Sequence, residues 1–413
     1  MSQQYLKSRA GTEMHYGLQP KLFALCSSIG LIVGLAGCDK IPTWGELTGG
    51  AKPPAPAPVI QTPPTVPVAP VQDSKPAGPR PEEVIAQFKA LRSSEINDGL
   101  IQQLTSLNEG LDQITEINAD GSTVTKEAFR SLHKLPNLRQ LRLNGSRVDN
   151  EACVKFAEMP ALEVLALSNT TVTDAGIAAI SGMQNLKHLE LVSCKIDDNG
   201  FAAIGNLPAL KTILIESTGL TNARFNLVCN AKNLTSLMIS KNSIDDYALL
   251  ALKKLDDLES LELSHTQING MGLAEVQKGG GLKKLTHLGM YACPVSEVGA
   301  KAISNLKALE HLNIGELSMM NDQGLFNVIG GMKKLKYLNL SKCSNLDGSG
   351  LRGLKGCNDL AELHIDQCPR IGDGVVPLLK PLKGLKEVTV QGSAITPTGI
   401  AALRAALPDA KVH

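Results

Sequence analysis

Four of the eight histidines in this 413-residue chain recur at matching places in a periodic pattern, and side-chain chemistry concentrates there. Aligned on a repeated Leu-x-x-Leu-x-Leu segment, His287, His311 and Tyr337 share one column. Asn313 and His364 share the next, and Tyr291 and Asp366 stand in a third. Imidazole and phenol rings set side by side are typical anchors of protein interfaces, large and rigid with a polar tip. Two other chemistries use the same residue types. His287, His311 and Glu262 carry metal donors, but a metal site needs three or four ligands that converge. Ser341, His364 and Asp366 are the types of a hydrolytic triad, yet no nucleophile elbow or oxyanion loop accompanies them. The expected use is docking, with no catalytic residue, no metal ligand and no cofactor.

Repetition is what would bring these residues together. The Leu-x-x-Leu-x-Leu segments begin at Ile114, Leu138, Leu162, Leu186, Leu210, Leu234, Leu258, Leu285, Leu309, Leu335, Leu360 and Leu385. The first seven are spaced by 24 residues, and the next spacings are 27, 24, 26, 25 and 25. In the unit Leu162–Met183, Leu165 and Leu167 alternate and so point the same way from a strand. Thr170 supplies a hydroxyl where the chain leaves the strand and buried backbone groups need partners. Thr173 or Asp174 is placed to cap the next helix. Ile177, Ile180 and Met183 then face back onto the strand layer. No unit can bury that face alone, so neighbours must stack.

Eight of these units carry a small or thiol residue three places after the third apolar position: Ser146, Thr170, Cys194, Thr218, Thr266, Cys293, Cys343 and Cys368. With the following Val172-Thr173-Asp174-x-Gly176, the pattern resembles leucine-rich repeats of the cysteine-containing and ribonuclease-inhibitor-like types. The resemblance covers residues 114–413. It implies an α/β solenoid, a horseshoe with a parallel β-sheet on the concave face and helices on the convex face. Many cysteine-containing members are substrate receptors with an F-box; none is seen here, so that function is not carried over. Family pattern and position both make the array's cysteines buried structural thiols. Cys343 and Cys368 are close enough in the pattern for a disulfide, though free thiols are expected.

Upstream, the composition changes. Residues 1–37 read as an export leader, with Lys7, Arg9 and Lys21 ahead of the apolar run Leu22–Leu35, which is too short to span a bilayer. The leader ends in Leu35-Ala36-Gly37-Cys38, which resembles the lipobox of bacterial lipoproteins. That resemblance implies cleavage before Cys38 and its acylation, and stable anchoring takes more than one acyl chain. Residues 38–82 read as a disordered tether, since eleven of the 22 prolines lie between Pro53 and Pro81 and such a composition builds no core. Residues 83–113 read as a helical cap for the first open layer, with Val84, Phe88 and Leu91 on one face and Ile101, Leu104 and Leu107 on another.

A formal charge of +1, mixed along the chain, gives no basic face for nucleic acid. Gly279-Gly280-Gly281 follows a helix and precedes a strand, the reverse of the order a phosphate loop needs. The expectation is a monomeric scaffold, anchored in a bacterial membrane by the N-terminal lipid and facing the periplasm or envelope. It would grip an unidentified protein or peptide on its strand face. A polysaccharide-binding envelope module is the alternative, disfavoured by the shortage of exposed aromatic platforms; an enzyme is a third.

Overall fold

The computed structural model describes residues 80–413. The leader, Cys38 and the tether up to residue 79 lie outside the described residues. Two helices come first, Pro81–Ala90 and Asp98–Thr105, and they bury Val84, Ile85, Phe88, Ile101 and Leu104. Asp98 joins the second of them to the array, accepting from the Thr125 amide at 2.7 Å and the Thr125 hydroxyl at 2.6 Å.

Each repeat then contributes one short strand. The first six are β1 (Glu116–Asn118), β2 (Gln140–Arg142), β3 (Val164–Ala166), β4 (His188–Glu190), β5 (Thr212–Leu214) and β6 (Ser236–Met238). The next six are β7 (Ser260–Glu262), β8 (His287–Gly289), β9 (His311–Asn313), β10 (Tyr337–Asn339), β11 (Glu362–His364) and β12 (Glu387–Thr389). The repeat count does not anticipate β13 (Lys411–Val412), which pairs beside Glu387 and Val388. All thirteen form one sheet in sequence order, and every pairing is parallel. The central residue of each three-residue strand points into a single continuous core, as Leu165, Leu288 and Leu338 do. The first and third therefore line the opposite, solvent-facing side. Among the described residues, no helix is long and apolar enough to cross a membrane.

Two local devices hold the stack in register. After each strand from β1 to β12 the chain turns through a left-handed residue, a glycine in some repeats (Gly121, Gly145, Gly392) but Asn169, Ser193, Lys241, His265 or Lys342 in others. That conformation costs a non-glycine residue about 1 kcal/mol. The exposed amide is rewarded by the next repeat: Asn169 N donates to Val192 O at 2.8 Å, and Lys342 N to Asp366 O at 2.8 Å. The small-residue column works as its chemistry implies. Thr170 Oγ1 donates to Leu167 O within its own repeat at 2.6 Å, and the Cys194 thiol reaches the same carbonyl from the next repeat at 3.2 Å. All seven cysteines from Cys153 to Cys368 are buried and free.

Helix capping departs from the expectation. Thr173 occupies the cap position without a side-chain cap bond. Asn150 of the preceding repeat does the capping, its Oδ1 accepting from Thr173 N at 2.9 Å and Gly176 N at 3.1 Å. Asp174 in turn accepts from Asp197 N at 2.7 Å. Each such side chain satisfies orphan amides of the following helix, so capping and stacking are one interaction.

Candidate functional site

The sheet register sets His287 beside His311, His311 beside Tyr337, and Tyr337 beside Glu362. The rings follow the strands. His287 and His311 stack with centroids 4.2 Å apart and planes 10° apart. His311 and Tyr337 are 5.9 Å apart at 24°, and Tyr337 tilts 45° against His364 at 5.1 Å. Four aromatic rings thus run in contact across β8, β9, β10 and β11.

Stacking has a consequence that residue types alone do not show. Tyr337, Tyr291 and Asn313 are buried, at 5%, 5% and 3% exposure, so a partner meets their edges, while His287, His311, His364 and Asp366 remain part-exposed. Burial pushes the His287 imidazole down to about 4, helped by neighbouring His311, and lowers His311 for the same first reason. Burial also raises both tyrosines. At neutral pH the His287, His311 and Tyr337 rings are uncharged. Nδ1 of His311 and Nε2 of His364 are buried without a hydrogen-bond partner, the latter 3.7 Å from Glu362 Oε2.

Tyr291 stands apart from the stack. Its hydroxyl donates to Glu316 at 2.6 Å, Lys342 lies 5.6 Å from its ring centroid, and its ring tilts against His265 at 5.5 Å. Asp366 organises the other end: it accepts from Thr389 Oγ1, from Ser341 Oγ at 3.4 Å and from Gln391 N at 3.0 Å. His364 Nδ1 pairs with Thr389 Oγ1 at 2.9 Å rather than with a serine. Ser341, His364 and Asp366 are near one another, but the serine–histidine bond that a triad requires is not made. No group of three His, Cys, Asp or Glu side chains converges on a common point among the described residues.

Two acidic features carry more weight than residue type indicated. Glu190 on β4 is buried; burial disfavours its charge, but a 2.7 Å contact with His188 and a 3.0 Å bond from Arg142 win and hold its carboxyl low. Arg142 reaches it across β3, where Ala166 leaves room. Among the described residues, Glu262 on β7 has no such cation. Its Oε1 accepts from Ser264 N at 2.9 Å and Ser240 Oγ at 3.2 Å, and burial raises its carboxyl. Burial likewise raises Glu216. Glycine at position 289 on the neighbouring strand was the available signal, since a side chain there would collide with the Glu262 carboxylate.

The comparisons with known proteins agree with this architecture. The leucine-rich-repeat family model matches residues 182–205. Among solved structures, an internalin from Listeria monocytogenes is 20% identical, with 80% of this chain and 93% of that chain covered and a TM-score of 0.53. A chain of the Rad7 and Elc1 complex from yeast is 15% identical, with 81% and 88% covered and a TM-score of 0.55. No curated protein sequence matches the chain. The fold is a leucine-rich-repeat solenoid, with the parallel sheet lining its concave side. Such solenoids are typically interaction modules rather than enzymes.

Proposed function

We propose that this chain is a membrane-tethered interaction protein that receives a protein or peptide partner on the concave strand face, with acylated Cys38 as its anchor. The observation that carries the docking half is the run of ring contacts His287–His311–Tyr337–His364, continuous over four strands. Rigid rings with accessible edges supply contact area at low entropic cost, as interface anchors do. The lipobox-like Leu35-Ala36-Gly37-Cys38 supports the tether, and the proline-rich segment after it would hold the array away from the bilayer.

Site-specific photo-crosslinking in the native cell tests the docking half. A benzophenone side chain at Thr212 or Ser236, on the strand face, is expected to trap a discrete partner; one at exposed Glu158, on the helix side, is not. Crosslinks confined to the helix side would overturn the reading. For the anchor, Cys38→Ser is expected to move the protein out of the detergent-extracted membrane fraction, and unchanged extraction would sink that half alone.

A further inference from the structure

From β5 to β12 the strand face carries carboxylates and neither lysine nor arginine. Glu216, Glu262, Glu362, Asp366 and Glu387 stand in or beside its columns. The cation in line with them is Lys411 of β13, next to Glu387. Lysines on the rims are already engaged: Lys336 with Glu310 at 2.6 Å and Lys342 with Glu316 at 3.5 Å, while Lys241 lies near Glu216. The N-terminal part of the face differs, because there Arg142 compensates Glu190.

This arrangement costs the fold stability. Glu362 and Glu387 are direct neighbours in register, and like charges facing each other across strands are destabilising. Glu262 is fixed through Oε1, and its Oε2 lies over Gly289, 1.7 Å from where a Cβ would stand. A carboxylate so placed, half-buried and with no lysine or arginine beside it among the described residues, favours positive charge brought from outside.

We propose that the strand face between Glu262 and Glu362 takes an extended cationic polypeptide segment, whose lysine or arginine side chains meet those two carboxylates while its backbone crosses His287, His311 and Tyr337. This rests on the strand-face reading above and adds the partner's chemistry. Four strand spacings separate the two glutamates, about 19 Å, and an extended chain covers about 20 Å in six residues. Basic residues six apart therefore fit the two ends. The imidazoles between them are held neutral by burial and do not repel a cation.

The test is fluorescence anisotropy on the full-length chain in nonionic detergent, with three labelled seven-residue peptides: lysine at both ends, both lysines adjacent, and glutamate at both ends. The first is expected to bind about tenfold tighter than either other, and to weaken by about tenfold when salt shortens the screening length from roughly 14 to 4 Å. Glu262→Gln and Gly289→Ala, which removes or displaces the carboxylate, should each weaken it about fivefold. Glu158→Gln and Glu275→Gln, which remove charge from the helix side, should leave it within about twofold. Equal binding of the two lysine peptides, equal loss in the helix-side variants, or no binding of any peptide overturns the proposal. Crosslinks from Thr212 and Ser236 that persist beside failing peptides would sink the cationic partner and leave the strand-face reading standing; loss of both sinks both.

Discussion

The Glu262 carboxylate occupies the space that a side chain at residue 289 would need: a Cβ added to Gly289 would come within 1.7 Å of Glu262 Oε2. Neither residue explains itself alone. Gly289 has no left-handed backbone to require glycine, and among the described residues no lysine or arginine accounts for the half-buried charge of Glu262. Together they form a carboxylate laid flat on the sheet and locked by Ser240 and Ser264.

Removing that charge should stabilise the protein. Burial raises the Glu262 carboxyl above its ordinary range, so near neutral pH the unfolded chain ionises it more readily than the folded one, and ionisation disfavours folding. Glu262→Gln should raise the melting temperature at pH 7. The advantage should shrink as pH falls from the raised folded value to the ordinary one, because the native glutamate is then protonated and the unfolded one gradually follows. Thermal unfolding of both forms between pH 4 and 8 checks this; a variant that melts lower at pH 7 would show the carboxylate to be structural.

The leucine ladder and the helix periodicity are legible from the sequence because burial dictates residue type at every 24-residue step, as Leu165, Leu189 and Leu237 show. The ring column is legible too, since period and register coincide. What is not legible involves partners in other repeats. Thr173 has the type of a cap, but Asn150 does the work because the stacked helix brings its Oδ1 closer to the orphan amides. Tyr337 has the type of an exposed anchor, yet flanking rings on β9 and β11 cover it. Glu262 matters through what position 289 lacks, and an absent side chain leaves little trace in a column of types.

His287 should make stability fall on acidification. Its imidazole titrates at about 4 when folded against an ordinary 6.5, so between those values the unfolded chain binds the proton and the folded one does not. Stability is unaffected above the ordinary value, declines as pH falls through the window, and the loss is complete below about 4. Because the ring is part-exposed, the amount is on the order of 1 kcal/mol. His287→Phe keeps the stack on His311 and should flatten this part of the pH profile in chemical denaturation; an unchanged slope would mean that the imidazole stays solvated.

The inter-repeat caps should be worth more than ordinary ones. Asp322 accepts from Gly348 N at 3.0 Å and Gly350 N at 2.8 Å through Oδ1, and from Asp347 N at 2.8 Å through Oδ2. Asp322→Ala leaves all three amides of the following repeat without that partner. The expected loss exceeds the ~1 kcal/mol typical of a single cap. Hydrogen exchange should show it as faster opening of residues 347–354 with the strands still protected, whereas uniform acceleration would mean that the array unfolds as one unit.

The thiols should be inert until the array opens. Burial pushes Cys153, Cys229 and Cys343 up to about 12 and Cys368 to about 11, so at pH 8 almost no thiolate exists to react. Several also donate to backbone carbonyls, as Cys293 does to Leu263 O at 3.3 Å and Cys368 to Leu340 O at 3.3 Å. Alkylation read by peptide mass mapping should leave all seven array cysteines unmodified in the folded protein and modify all of them in denaturant. Cys368→Ser is the more telling variant. A hydroxyl is shorter and bonds the carbonyl of its own repeat, as Thr170 does, so the link to Leu340 is lost while the polar group stays satisfied. A small loss of stability, under about 1.5 kcal/mol, is expected; a loss of several kcal/mol would mean that packing of the sulfur, rather than its hydrogen bond, holds the repeats together.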